Sequence, residues 1–275
     1  MSGKKKETTV VVSQTEIATD IYDMWIATDL SLQAKPGQFI SVYTQDKSTL
    51  LPRPISICEV DRENRRIRIV YRVAGKGTAE FSGYHAGAPI DILGTLGNGF
   101  PLEAAKSKKA FLMGGGIGIP PMLELAKELD CEKDIIAGYR NSELFLADEL
   151  KQYGNLYVAT EDGSEGTKGN VMNAIAENNL KADVIFACGP MPMLRAIKKY
   201  AQEQNIPAYI SLEERMACGV GACLGCVVKT KNVDAHSHVK NARICTDGPV
   251  YLASEVDICC LLYTSPSPRD RSLSR

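Results

Sequence analysis

Between residues 8 and 103, apolar and polar positions alternate in short runs. These are TTVVVSQTEIA (8–18), IYDMWIATD (21–29), QFISVYT (38–44), RPISICEV (53–60), RRIRIVYRV (65–73) and APIDILGTL (88–96). A period of two puts successive side chains on opposite faces of a strand. Turn formers such as Lys35-Pro36-Gly37 and Asp61-Arg62-Glu63-Asn64 separate the runs, so the stretch predicts a small antiparallel barrel. From about 108 the pattern changes. Strand-like KKAFLM (108–113), DIIAGY (134–139), NLYVAT (155–160), DVIFAC (183–188) and PAYIS (207–211) now alternate with helical patterns. The helical stretches are PPMLELAKELD (120–130), ELFLADELKQY (143–153), NVMNAIAENNL (170–180) and PMLRAIKKYAQEQ (192–204). Met122, Leu125, Ala126 and Leu129 share one face of the first helix, which is therefore expected to be buried. Strand–helix alternation predicts a parallel sheet with helices on both faces. The last segment, 211–258, offers a short strand in CVVKT and a polar, hairpin-like stretch around His236 and His238. It is too small for a core of its own, so something besides apolar burial must stabilise it.

Composition narrows the function classes. The chain has 275 residues with 44% hydrophobic and 24% charged side chains, and 32 basic against 33 acidic residues give a net charge of −1. No strong field is available for nucleic acid or an anionic membrane, and no run reaches the ~18 apolar residues of a membrane span. Lys4, Lys5 and Lys6 form a basic N-terminal cluster, expected to be a frayed, solvated end. The start, MSGKKKETTV, lacks the apolar core of a signal peptide. The chain is expected to be cytoplasmic, where nine cysteines serve as metal ligands or buried thiols rather than disulfides. Cys260 to Asp270 read CLLYTSPSPRD, which resembles the translation of a transposon adapter. Residues 259–275 are therefore expected to be a non-native read-through tail, and Cys259 and Cys260 drop out as ligands.

Cys218, Cys223, Cys226 and Cys245 stand as C-x4-C-x2-C-x18-C, with Gly219, Gly221, Ala222 and Gly225 between the first three. The first three share the spacing of plant-type [2Fe–2S] ferredoxins. Several sulfurs must converge there, and backbone N–H groups must approach negatively charged sulfur. Glycine and alanine permit both. Zinc is the alternative metal, although its sites usually use two separated knuckles. Cys58 and Cys131 are expected to be ordinary thiols, and His236 and His238 to be exposed.

Five weaker signals concern nucleotides. Arg53-Pro54-Ile55-Ser56 ends a turn and opens a strand, with an arginine fork suited to a pyrophosphate. Gly75-Lys76-Gly77-Thr78 precedes a helical AEFSGY, whose N-terminal amides suit a phosphate. Gly114-Gly115-Gly116-Ile117-Gly118-Ile119-Pro120-Pro121 joins a strand to a helix without being a strict G-x-G-x-x-G. Cys188-Gly189-Pro190-Met191 is a second turn at the carboxyl edge of the sheet, where ligands collect. Glu161 and Asp162, after NLYVAT, disfavour a 2′-phosphate and so favour NAD over NADP.

Taken together, RPIS (53–56), VYR (70–72), GT (77–78), GGGIGIPP (114–121), CGPMPM (188–193) and CGVGACLGC with ICTDGPVY (244–251) resemble the electron-transfer subunits of dihydroorotate dehydrogenase B, within the ferredoxin-reductase superfamily. The resemblance implies three units: a β-barrel binding FAD (1–103), an α/β domain binding NAD (104–210) and a [2Fe–2S] subdomain (211–258). It implies FAD contacts at Arg53, Pro54, Ile55, Ser56, Val70, Tyr71, Arg72, Gly77 and Thr78, with Ser56 near flavin N5. Wider superfamily members often carry an aromatic residue where Ile55 stands, so that ring stacking is absent. For NAD it implies Gly114, Gly115, Gly116, Gly118, Cys188, Gly189 and Pro190; Cys188 reads equally well as a nicotinamide neighbour or as a small buried residue. Cys218, Cys223, Cys226 and Cys245 become the cluster ligands. The implied role passes electrons from the FMN of a catalytic partner subunit through [2Fe–2S] and FAD to NAD⁺, in pyrimidine biosynthesis and in a two-plus-two heterotetramer. The rivals are the small subunit of a related NAD(P)H-dependent ferredoxin reductase or sulfide dehydrogenase, and a zinc-stabilised interaction module.

Overall fold

A computed structural model describes residues 5–233 and 238–258. His236, Lys4 and the 259–275 tail lie outside the described residues. Six strands, β1 (Lys5–Ala18), β2 (Ile21–Ala27), β3 (Phe39–Tyr43), β4 (Arg53–Asp61), β5 (Arg66–Arg72) and β6 (Pro89–Leu96), close into a barrel of order β1-β2-β5-β4-β3-β6. Every pairing is antiparallel. The long β1 closes it: residues 5–10 pair with β6, and 11–18 pair with β2. The barrel interior is packed by alternate residues such as Met24, Ile26, Ile40, Val42, Ile57, Ile67 and Ile69. Lys6 is solvated as expected but not frayed. Its Nζ is 3.3 Å from Asp91 and lies over the Tyr43 ring, because β1 begins at Lys5.

Between β5 and β6 runs α1 (Lys76–Ser82). The second unit contains β7 (Ala110–Gly115), α2 (Pro120–Glu128), β8 (Lys133–Tyr139), α3 (Ala147–Leu150), β9 (Asn155–Thr160), β10 (Thr167–Lys168), α4 (Val171–Glu177), β11 (Val184–Cys188), α5 (Met191–Gln204) and β12 (Ala208–Ser211). The C-terminal segment adds β13 (Val227–Lys229), β14 (Asn241–Arg243) and β15 (Val250–Leu252). The sheet order is β10-β9-β8-β7-β11-β12-β15. All its pairs are parallel except β12–β15, so the sheet is mixed and the last segment returns into it. β13 and β14 form a separate antiparallel pair, while the middle of the hairpin-like stretch expected around His236 lies outside the described residues.

Helices cover both faces, as the period of two dictates. Phe111 and Met113 of β7 pack with α4 and α5, while Ala110 and Leu112 pack with α2. The expected helix over 143–153 shrinks to the single turn of α3. Leu144 and Phe145 donate to the carbonyls of Ser142 and Glu143, and Leu146 sits at φ +63°. Burial of Phe145 edge-on against Tyr139 fixes this irregular path, overriding the helical pattern. No described helix is long and apolar enough to cross a membrane.

Charged groups join barrel and sheet. The buried Arg68 guanidinium meets Asp23, Glu59 and Glu149, and Lys127 reaches Glu59. The fully buried Glu124 of α2 accepts from the Val60 N–H at 3.0 Å, with Arg62 at 3.4 Å.

Candidate functional site

The first cavity, of about 520 Å³, opens where β4 and β5 face the end of β12. Arg53, Pro54, Ile55, Ser56, Val70, Tyr71, Arg72 and Thr78 line it, together with Phe39, Ile117 and the segment from Ser211 to Met216. Gly77 lies behind this wall. A Cβ there would collide with the Arg53 guanidinium, so the missing side chain lets Arg53 lie across the first turn of α1. Arg53 donates to the Leu51 carbonyl. The Thr78 hydroxyl accepts from the N–H groups of Ala74 and Gly75 at 2.8 and 3.2 Å. Part of this helix start is therefore capped from within.

The second cavity, of about 730 Å³, lies at the carboxyl ends of the parallel strands. Gly115, Gly116, Gly118, Gly189 and Pro190 line it, with Glu161 and Asn170 across from them. The two glycine turns are packed face to face. A Cβ on Gly118 would fall inside the Cys188 carbonyl, and one on Gly115 would lie 2.5 Å from Met193 Sδ. Gly116 takes φ +52°, which glycine adopts without steric cost. Gly114 packs behind the turn against Ile119. Cys188 is buried and outside both linings. Burial and the Glu213 charge push its thiol up, with Ser211 pulling the other way. Asp162 turns to the Ser164 hydroxyl and amide, leaving Glu161 as the acid in the cavity.

The cavities share three residues: Arg72, Ile117 and Glu213. Glu213 faces the cleft, where crowding by the surrounding protein pushes its carboxyl up and Arg72 draws it down. Sequence reasoning missed Glu213, since nothing local marks it until β12 is seen to end at the cleft.

Glu213 leads within five residues to Cys218. The Cys218 Sγ accepts from the N–H groups of Val220, Ala222 and Cys223 at 3.5, 3.3 and 3.4 Å. Burial pushes this thiol up, but the N–H groups of Val220 and Cys223, the Cys223 thiol and the Ala222 N–H outweigh it and bring it to about 6. Gly219 and Gly221, at φ +66° and +83°, make the loop that allows this. Cys245 lies against Cys226; burial and that neighbour push its thiol up to about 12. Electrostatically, Cys218 is linked to Cys223 and to Cys245, and Cys245 to Cys226. Among the described residues no three His, Cys, Asp or Glu side chains close on a single metal ion. All seven described cysteines are free; Cys58 and Cys131 stand apart, with thiols pushed up by burial. His238 is exposed.

Two further residues brace the loop. Arg243 donates to Asp247 from Nε at 3.0 Å and Nη2 at 3.1 Å, and to the Gly221 carbonyl at 3.4 Å. Asn98 donates to the carbonyls of Asp247 and Val250 at 3.2 and 2.8 Å and accepts from Val250 N–H at 3.0 Å. Asn98 stands in a Gly-Asn-Gly turn and Arg243 two residues before Cys245; neither context says what the side chain reaches.

The model of the iron–sulfur cluster binding domain of dihydroorotate dehydrogenase B matches residues 213–257. The chain is 43% identical over 260 residues to the dihydroorotate dehydrogenase B (NAD(+)) electron transfer subunit of a Geobacillus species, covering 92% of this chain and 98% of that protein. It is 44% identical over 265 residues to the same subunit from Fusobacterium nucleatum, with coverages of 92% and 99%. Among solved structures, a chain of an NADH-dependent reduced ferredoxin–NADP oxidoreductase matches with a TM-score of 0.81 and 30% identity, covering 94% of this chain and 91% of that one. The same layout thus serves a related reductase, the enzyme rival considered above, at lower identity. The chain belongs to the family of electron transfer subunits of dihydroorotate dehydrogenase B (NAD(+)).

Proposed function

We propose that this oxidoreductase subunit holds FAD in the first cavity, NAD in the second and a [2Fe–2S] group on Cys218, Cys223, Cys226 and Cys245. The observation that carries this reading is the shared wall of Arg72, Ile117 and Glu213, from which the chain runs directly into the cysteine loop. The residues fit the groups. Four free thiols within one segment, one sulfur already met by three amides and no three of them closing on a single ion among the described residues, suit a binuclear centre better than a single zinc ion. Arg53, beside Gly77, offers a planar fork to a pyrophosphate, and Ser56 and Thr78 add hydroxyls to the same wall. The amides of Gly115, Gly116 and Gly189 edge the second cavity, where Glu161 opposes a 2′-phosphate and favours NAD. Cys188, behind this wall, supports the turn rather than meeting the nicotinamide.

When bound, the iron–sulfur group exchanges single electrons, FAD holds two and NAD⁺ takes a hydride. The chain's own part is to keep the two nucleotide sites in contact across Arg72 and Glu213 and to hold the cysteine loop at the edge of the first. Among the described residues there are a six-stranded barrel, a mixed seven-stranded sheet and the β13–β14 pair, and no eightfold β/α barrel. Dihydroorotate therefore belongs to an FMN-containing catalytic partner, in a two-plus-two assembly within pyrimidine biosynthesis. Free thiols throughout the described chain suit the reducing cytoplasm.

The test is co-expression with the candidate catalytic subunit, followed by iron and acid-labile sulfide analysis and an assay of NAD⁺ reduction by dihydroorotate. Two irons and two sulfides per chain, with reduction only in the complex, are expected. Absence of both elements, or turnover of dihydroorotate by this chain alone, overturns the reading.

A further inference from the structure

Three buried side-chain atoms among the described residues lack a hydrogen-bond partner: Asp134 Oδ2, Ser41 Oγ and the Tyr251 hydroxyl. Asp134 is accounted for, since Lys109 Nζ lies 3.0 Å from that oxygen. The other two are hydroxyls, on different elements, and both adjoin the cysteine segment. Ser41, fully buried on β3, places its Oγ 3.2 Å from where a Cβ of Gly219 would stand, directly after Cys218. Tyr251, on β15, lies with its ring edge against Gly248, and its phenol is electrostatically linked to Asp247, Cys226 and Cys245. Neither residue lines a nucleotide cavity. A buried hydroxyl left unpaired is costly and rare in a native fold, and each of these two, beside Gly219 and Gly248 of the cysteine segment, calls for an acceptor there. The sulfurs of an iron–sulfur group are such an acceptor, gaining negative charge on reduction.

We propose that Ser41 and Tyr251 donate hydrogen bonds to the sulfur of the iron–sulfur site and thereby raise its reduction potential. They are positioning residues: they carry no electrons, but favour the reduced, more negative form. Ser41 also pairs with Pro54 in the barrel, so one donor comes from the strand beside the flavin wall and the other from the nucleotide sheet. The inference rests on the reading that the four cysteines hold such a group.

The experiment is an EPR-monitored redox titration of the full chain co-purified with its catalytic partner, comparing wild type with Ser41→Ala, Tyr251→Phe and the double variant. Each single change should shift the one-electron equilibrium about tenfold toward the oxidised form, a fall of about 59 mV in midpoint, and the double variant should fall further. Iron, sulfide and flavin contents should not change. Thermal unfolding of the cluster-free chain supplies the second measurement. Because both hydroxyls are unpaired there, removing them should leave its midpoint equal or higher. Unchanged potentials in both variants, or a clearly lower unfolding midpoint of the cluster-free chain, overturn the proposal. Wild-type protein lacking iron and sulfide overturns the underlying reading instead, so the two failures are distinguishable.

Discussion

The glycine turn at 114–118 and the cysteine loop at 218–226 both use small residues where the backbone turns tightly, and in the loop this brings three amides onto Cys218 Sγ. They differ in what holds them. The turn ends β7, whose six residues are all buried, and is pressed against Ile119, Met193 and the Cys188 carbonyl. The loop exposes Val220, Leu224 and Cys223. Apart from the bonds to Cys218, it is held at its edge by Arg243 and by the contacts of Gly219 and Gly221 with Ser41, Leu96 and Thr246. A site built by apolar packing exists before its ligand arrives, whereas one with thiols in place of a core is completed by its metal.

The largest effect should follow from removing a sulfur. Cys223→Ser is expected to lower NAD⁺ reduction by dihydroorotate in the complex by about a hundredfold or more, since even outer-sphere partners of metal sites are worth 10–100-fold. NADH oxidation by an artificial acceptor at the flavin should persist. An intact coupled rate would place the electron route elsewhere. Next comes Gly118→Ala, whose methyl meets the backbone of Cys188 with no flexible side chain to give way. Overpacking of this kind costs about 1–3 kcal/mol, to be read in denaturant unfolding together with weakened NADH binding. Gly219→Ala sharpens the contrast. Its cost of about 1–2 kcal/mol comes from φ +66°, and should appear as faster hydrogen exchange of 213–257 in cluster-free protein, with the sheet unaffected.

The smallest effect concerns pH and lies where α2 packs on β4 of the barrel. Burial pushes the Glu124 carboxyl up to about 7, against the Val60 N–H and Lys127. Arg62 offsets little, because it is half exposed and lies closer to Glu128 than to Glu124. In the unfolded chain a glutamate titrates near about 4.3, so the folded state binds this proton more tightly. The stability it brings is complete below the unfolded value and lost as the pH rises through about 7. The thermal midpoint should therefore fall between about pH 5 and 7 through this group, levelling off above it, and Glu124→Gln should flatten that part of the slope. An unaltered slope would remove Glu124 as its source.

What neighbours along the chain encode was legible. Alternation in RRIRIVYRV and its companions placed all six barrel strands, and KKAFLM, DIIAGY and DVIFAC became β7, β8 and β11. The 4–2 spacing of Cys218, Cys223 and Cys226, with glycine and alanine between, marked a tight sulfur loop, and the structure folds it with three N–H groups on Cys218 Sγ. Such signals are local: they depend on which face a side chain takes, or on how tightly a few residues must turn. Where apolar residues served an irregular path, as at Phe145 and Leu146, the same pattern misled.

The sequence by itself determined the strands, most of the helices, the two glycine turns and the sulfur loop, because each is set by periodicity or spacing within a few residues. Only the tertiary structure decided that Glu213 and Arg72 stand between the cavities, that Asn98 clamps Val250 across 152 positions, and that β15 completes the sheet. It alone also set Ser41 beside Gly219. These pairings join residues far apart in the chain, and their free energy exists only once the barrel and the sheet have closed around them.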